Sequence, residues 1–231
     1  MNKHKFPKLN FRQSSESGYT ILEGLMAILV VSALITMVGP VIAFSAGTRV
    51  QARRVELATQ AAKTYMNAIR ANPYDKNSTI NTELVDGITN IAVPPAVTVA
   101  NFGAPVGVDL NCPNTNAYCT APAGLYCIDF DNLPKDKPGC TNDSLSDMII
   151  QPIRLQGAVD PLTNKDDPNK GYKLAIRVYR ANSFTPGIGN NLQKTTPSTN
   201  VTNALGNRNA PLVTMSSDIP SETDRFSNFK N

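Results

Sequence analysis

The feature that most limits what this chain can become is residues 24–46, an unbroken run of 23 residues without Asp, Glu, Lys or Arg. As a helix this run rises about 34 Å at roughly 1.5 Å per residue, enough to cross a hydrocarbon core of about 30 Å. One helix can therefore span a bilayer, and the rest of the chain is arranged around a single crossing. Glu23 stands at the edge of the run, and Lys3, Lys5, Lys8 and Arg12 precede it. A carboxylate that close to lipid is costly and ordinarily has a partner or a task. Basic residues beside an apolar segment stay on the cytoplasmic side, which sends the residues after 46 across the membrane.

An ordinary secretory signal would have an apolar core of about 7 to 15 residues with small residues after it at the cut. Here the run is longer, Gly18 lies before it, and residues 43–47 offer only a modest alternative cut. A plain single-pass anchor is the other simple account. The junction Gly18-Tyr19-Thr20-Ile21-Leu22-Glu23, behind a short basic leader and ahead of an uncharged helix, resembles the class III signal of type IV pilins and type II secretion pseudopilins. The resemblance covers this N-terminal stretch well and the polar head hardly at all. It implies that a prepilin peptidase cuts after Gly18 and methylates the new amino terminus at Tyr19. Glu23 is then the fifth residue of the mature chain. Since a buried carboxylate has to be neutral or paired, the free amino terminus of a neighbouring subunit would supply its opposite charge. Glu23 is thus expected to act in subunit assembly and not as a catalytic acid.

The expected organisation has four parts: a prepilin leader at 1–18, a transmembrane and filament-core helix at 19–46, an amphipathic continuation at 47–73, and an extracytoplasmic head at 74–231. Gly39 and Pro40 lie inside the apolar run. Proline removes an amide donor and clashes with the carbonyl four residues earlier, so a kink or local melting is expected there. Beyond Gly47, the residues Val55, Ala58, Ala62, Tyr65 and Ile69 recur at three or four residues and form one stripe, which should lie against the head. Asn72-Pro73 closes the helix, because the residue before proline is discouraged from the helical region. The fold class is α+β, and the resemblance implies a type IV pilin-like architecture: a long kinked N-terminal helix packed against a small antiparallel sheet in a loop-rich head.

Within the head, 172–179 is the clearest strand, with Tyr172, Leu174, Ile176 and Val178 alternating against Lys173, Ala175, Arg177 and Tyr179. One face is expected on the helix and the other toward solvent or a neighbour. Residues 125–130 and 148–150 are shorter strand candidates, and 211–215 could return as a last strand. The stretch 91–99 with Phe102 alternates after Pro94 and Pro95 and reads as an edge strand. Residues 77–90, 103–124 and 181–210 read as connections or loops, and 216–231 as a solvated tail in which Phe226 and Phe229 pack it down. Residues 171–180 resemble cyanobacterial pseudopilins tied to hormogonium polysaccharide secretion. The terminal disulfide loop of many pathogen pilins has no counterpart here, because the last cysteine is Cys140.

Cys112, Cys119, Cys127 and Cys140 form an even set in an exported head, which reads as two disulfides stapling a loop-rich segment. Sequence does not choose among the three pairings, with Cys112 to Cys119 or Cys127 weakly preferred. A four-thiolate zinc site is disfavoured, because no two of these cysteines form a close ligand pair. Asp129, Asp131, Asp136, Asp143, Asp147, Asp166 and Asp167 are oxygen donors of the kind calcium takes. No hand-like loop signature accompanies them, and acids in loops are ordinarily solvated, so no metal site is assigned. Asn77, Asn142 and Asn200 open short glycosylation-type triplets.

Charge and composition exclude much else. The chain has 22 basic and 18 acidic residues, and removal of 1–18 takes Lys3, Lys5, Lys8, Arg12 and Glu16, leaving 18 and 17. Most of the basicity belongs to the leader, so no nucleic-acid partner is expected. The single histidine, His4, is in the leader. A mature chain without histidine lacks the usual Ser-His or Cys-His pair, so no enzyme activity and no cofactor are expected. The expectation is a pseudopilin or minor pilin subunit of a type II secretion-like or type IV pilus-like filament. Its partners would be a prepilin peptidase, an inner-membrane platform protein, an assembly ATPase and other pilins or pseudopilins. Before assembly it would lie in a bacterial inner membrane with its head in the periplasm, and afterwards in a filament or at the cell surface. The alternative is an adhesive or substrate-binding module displayed on a pilin-type or plain anchor.

Overall fold

A computed structural model of the chain describes residues 20–71, 98–132, 139–155, 157, 171–187, 191–195 and 207–220. These residues are α+β. They form one long helix, α1 (Ile21–Ala71), and four strands, β1 (Tyr126–Ile128), β2 (Met148–Leu155), β3 (Tyr172–Arg180) and β4 (Val213–Ile219). The strands make one antiparallel sheet in the order β1-β2-β3-β4. The chain divides into two compact units, Met1–Ser45 and Ala46–Asn231. The leader with Gly18 and Tyr19, the connection at 77–90, the acids Asp136, Asp166 and Asp167, the triplets at Asn77 and Asn200, and the phenylalanines Phe226 and Phe229 lie outside the described residues.

The first unit contributes the apolar half of α1. Pro40 sits inside the helix, which runs on through it as helix. Pro40 has no N–H to give to the carbonyl of Thr36, so one rung of the ladder is missing there. The hydroxyl of Thr36 is satisfied locally, donating to the carbonyl of Ser32 at 2.8 Å and that of Ala33 at 3.0 Å. The Thr36 hydroxyl is thereby closed on its own helix backbone.

The second unit holds the core. Leu57, Ala58, Ala61, Ala62, Tyr65, Met66 and Ile69 of α1 are buried, packed with Met148, Ile150, Leu174, Ile176, Val178 and Ile219 of the sheet. The expected stripe is thus the packed face, with one correction: Val55 is exposed. It lies N-terminal to Leu57, where this core begins. Alanines at 58, 61 and 62 on this face are buried alongside the bulkier Leu57, Tyr65, Met66 and Ile69.

The central strand β3 differs from expectation on its second face. Tyr172, Leu174, Ile176 and Val178 face the helix, but Ala175, Arg177 and Tyr179 are also buried, and Lys173 alone is exposed on the strand. The cover on that side includes the disulfide-rich segment and residues 98–103. Tyr179, Ile149, Phe184, Leu125 and the four cysteines form a second apolar cluster. The guanidinium of Arg177 donates to the carbonyls of Val99, Phe102 and Gly103 and to Gln151 Oε1. Those carbonyls are therefore occupied by a side chain and not by a strand ladder. Residues 98–102 form turns, and the rest of the stretch expected as an edge strand, 91–97, lies outside the described residues.

Strand β2 is longer than its apolar core of Met148, Ile149 and Ile150 suggested, and runs through Pro152. The β1 pairing ends at Ile150, so Pro152 sits where β3 is the strand paired with β2, and its missing N–H is tolerated there. Strand β4 extends to Ile219, into what read as tail. Residues Ala181–Phe184, expected to be loop, form a buried 3₁₀ turn whose Phe184 ring packs edge-on to Tyr179 with centroids 6.2 Å apart.

Candidate functional site

The site that sequence singled out is the N-terminal half of α1. Its large apolar side chains from Ile21 to Phe44 are 51–86% exposed within the chain. Among the described residues α1 is the one helix long and apolar enough to cross a membrane, and it is compatible with a single-pass anchor. A surface of this extent in water would be a standing association hazard.

Glu23 lies in the first turn of this helix and is exposed. The amides of Glu23 and Gly24 both donate to the carbonyl of Thr20, at 2.9 and 3.2 Å, which opens the helix. A carboxylate in the first turn sits at the positive end of the helix dipole, a favourable place for its charge. Gly39 and Pro40 lie farther along the same exposed run. Gly18 and Tyr19, the proposed cleavage and methylation positions, fall outside the described residues.

The four cysteines are all bonded. Cys112 joins Cys119 and Cys127 joins Cys140, which selects one of the three open pairings and leaves no free thiol for a metal. Gly139 shows how tightly the two loops meet: its φ is +110°, and a Cβ there would lie 1.8 Å from the carbonyl oxygen of Cys112. Asn142, a candidate glycosylation position, is engaged on both sides of its amide. Its Oδ1 accepts from the Leu110 amide at 3.0 Å and its Nδ2 donates to Asp109 at 2.7 Å.

Of the acids read as solvated, three come together. One carboxylate oxygen from each of Asp129, Asp131 and Asp147 lies within 4.8 Å of the other two. Asp147 has no solvent-exposed surface. Burial, with the charges of Asp131 and Asp129 adding to it, pushes its carboxyl up to about 6, against the opposing pull of hydrogen bonds from Thr141 and Ser144. Sequence reasoning placed these three among seven possible oxygen donors and assigned no site, although one signal for their meeting was present. Asp129 follows one short apolar stretch and Asp147 precedes the next, so a hairpin pairing of the two strands brings them level.

A second grouping also went unread. Tyr65 on α1 meets Tyr118 hydroxyl to hydroxyl at 2.7 Å, and the Tyr126 ring lies 4.9 Å from Tyr65 and 5.1 Å from Tyr118. Its signal in the sequence is only Tyr118 and Tyr126 near one another, with Tyr65 far from both in the chain. No family model, no curated protein and no solved structure matches this chain.

Proposed function

We propose that this chain is a pilin-type subunit, a pseudopilin or minor pilin, that is cut after Gly18, methylated at Tyr19 and assembled through its N-terminal helix into a secretion-type or pilus-type filament. The observation that carries this reading is the uncharged run 24–46 lying on one helix with its large apolar side chains half or more exposed. Before assembly that surface belongs in the membrane, and in the filament it belongs against other copies. The second half of the helix packs under an antiparallel sheet, an arrangement that fits the pilin-like architecture implied by the junction.

Glu23 has the assembly role in this reading. Leaving lipid for a helical bundle, its carboxylate needs a cation, and the amino terminus of a neighbouring subunit is the nearest one that processing creates. The experiment pairs two substitutions in cells that carry a prepilin peptidase. Gly18→Arg should leave a precursor of unprocessed mass with its leader intact. Glu23→Ala should be cut and methylated normally but be lost from sheared filaments, at least tenfold below wild type. Wild-type incorporation of Glu23→Ala would remove the register role. An uncut wild-type chain in the presence of the peptidase would return the protein to a plain anchor carrying a binding head.

A further inference from the structure

We infer that Arg49, Arg53, Arg54 and Arg208 form a collar that binds the phosphates of anionic lipid headgroups on the exported side of the membrane. Position along the chain begins the argument. Arg49, Arg53 and Arg54 are the first charged residues after the uncharged run that ends at Ala46. All three lie on α1, where a rise of 1.5 Å per residue puts their Cα atoms about 4.5 to 12 Å beyond the run. Helical side chains lean toward the helix N-terminus, so these guanidiniums lean back toward it. The headgroup layer on each side of a bilayer is about 5 to 7 Å deep, within reach of an arginine side chain. Basic residues beside a crossing favour the cytoplasmic side, yet these three stand on the flank opposite Lys3, Lys5, Lys8 and Arg12. Anionic phosphates at that surface would receive their charge.

The fold brings further guanidiniums to the same end of the head. Arg70 donates to Ser217, which stands opposite Leu174 on β3. Farther along, β3 ends at Arg180, which feels the charge of Arg54. The strand therefore runs back along α1, and its last residue is level with Arg54. Ser183 Oγ donates to the Arg208 carbonyl at 2.6 Å, which holds Arg208 beside the turn that follows β3. Arg180 is buried, and burial together with the charges of Arg54 and Arg208 lowers its guanidinium to about 10. Like charges from a helix, a strand and a loop thus converge, an arrangement that a nearby anion would stabilise. Arg49 and Arg208 are exposed and Arg54 is half-buried. The Arg53 side chain is 66% exposed and meets Glu56 at 3.1 Å.

Guanidinium chemistry selects the ligand class. Its donors form a planar fork that matches the two free oxygens of a phosphodiester, which arginine binds bidentately. Four such side chains spread over one end of the head suit the headgroups of a lipid layer better than one soluble anion. The inference rests on the membrane crossing by α1 and not on processing or filament assembly.

The test uses the full chain in nanodiscs of equal phosphatidylglycerol and phosphatidylcholine, with the lipids that stay bound on release counted by native mass spectrometry. Phosphatidylglycerol should be retained about fivefold over phosphatidylcholine. The combined variant Arg49→Gln, Arg53→Gln and Arg54→Gln should lower that ratio about threefold and leave the head's melting temperature within about 2 °C of wild type. The leader is the same in both proteins, so the loss belongs to the collar. Arg208→Gln should lower the ratio by about half, and it decides if the combined variant fails to fold. Equal retention of the two lipids by wild type would overturn the collar, as would an unchanged ratio in the combined variant. Displacement of phosphatidylglycerol by about 10 mM inorganic phosphate would also overturn it, by assigning the arginines to a soluble anion. A chain that does not enter nanodiscs of phosphatidylcholine alone would overturn the crossing itself, and the collar with it.

Discussion

Residues 21–44 and residues 57–69 belong to the same helix but present opposite surfaces. The first stretch carries Leu, Ile, Val, Met and Phe side chains more than half exposed, and the second buries Ala58, Ala61, Ala62, Tyr65 and Ile69 almost completely. The richer apolar surface is thus the uncovered one. The difference teaches that the two halves are built for different surroundings. The second half meets a sheet inside its own chain, whereas the first leaves its large side chains uncovered within the chain. A substitution should therefore register in one half's measurement and leave the other's alone.

The largest expected effect follows from truncating the sheet side of the covered half. Leu174→Ala removes a side chain with no exposure from the centre of β3 and should cost the head about 2–5 kcal/mol in thermal or denaturant unfolding. Leu29→Ala removes an equal side chain from the uncovered half, where it is 65% exposed. Head stability should change by less than about 0.5 kcal/mol. Comparable losses in the two variants would show that the exposed run supports the head, and the contrast between the halves would fail.

The disulfides come next. Replacing Cys127 and Cys140 by alanine opens a loop with a sequence separation of 13 and should cost about 3 kcal/mol. Opening Cys112–Cys119, with a separation of 7, should cost about half a kcal/mol less. Membrane association in cells should be unchanged by either, because the apolar run contains no cysteine. Loss of membrane association would mean that anchoring depends on the folded head.

The helix was legible because its signals are local. An uncharged run, a three-and-four stripe and a closing Asn72-Pro73 each depend on neighbours in sequence. Strands β1, β2 and β3 were legible as apolar stretches, and β3 by its alternation. Their partners were not, because register depends on which strand lies beside which. The buried second face of β3 shows the consequence. Arg177 reads as a solvent-facing residue by period, yet it is buried and bound to the carbonyls of a segment more than seventy residues earlier. The acidic grouping failed for the same reason: each aspartate taken alone is a loop acid, and only the Ile128–Met148 pairing brings Asp129 and Asp147 level.

The smallest predicted effect concerns titration, and it again separates the halves. The run 24–46 contains no ionisable side chain, whereas the covered half brings Tyr65 against Tyr118, with Tyr172 in the same core. Burial is the main cause that raises all three phenols above their ordinary value of 10.0. For Tyr65 the neighbouring tyrosines add to it, and Tyr172 reaches about 12, with Arg154 pulling it down. Because the folded values lie above the unfolded ones, the neutral phenols favour the fold. Their contribution is fully present below pH 10 and is lost as pH rises through about 12. The head's melting temperature should therefore begin to fall above pH 10, with phenolate absorbance lagging behind that of free tyrosine until unfolding. Tyr118→Phe, which removes the hydroxyl pair, should cost about 1 kcal/mol at neutral pH and reduce the alkaline slope. Immediate ionisation of every tyrosine at pH 10 would show that this packing is absent in solution. Retention of the chain in vesicles over the same pH range is the matching measurement for the uncovered half, and it should stay level, since nothing within 24–46 can gain or lose a proton.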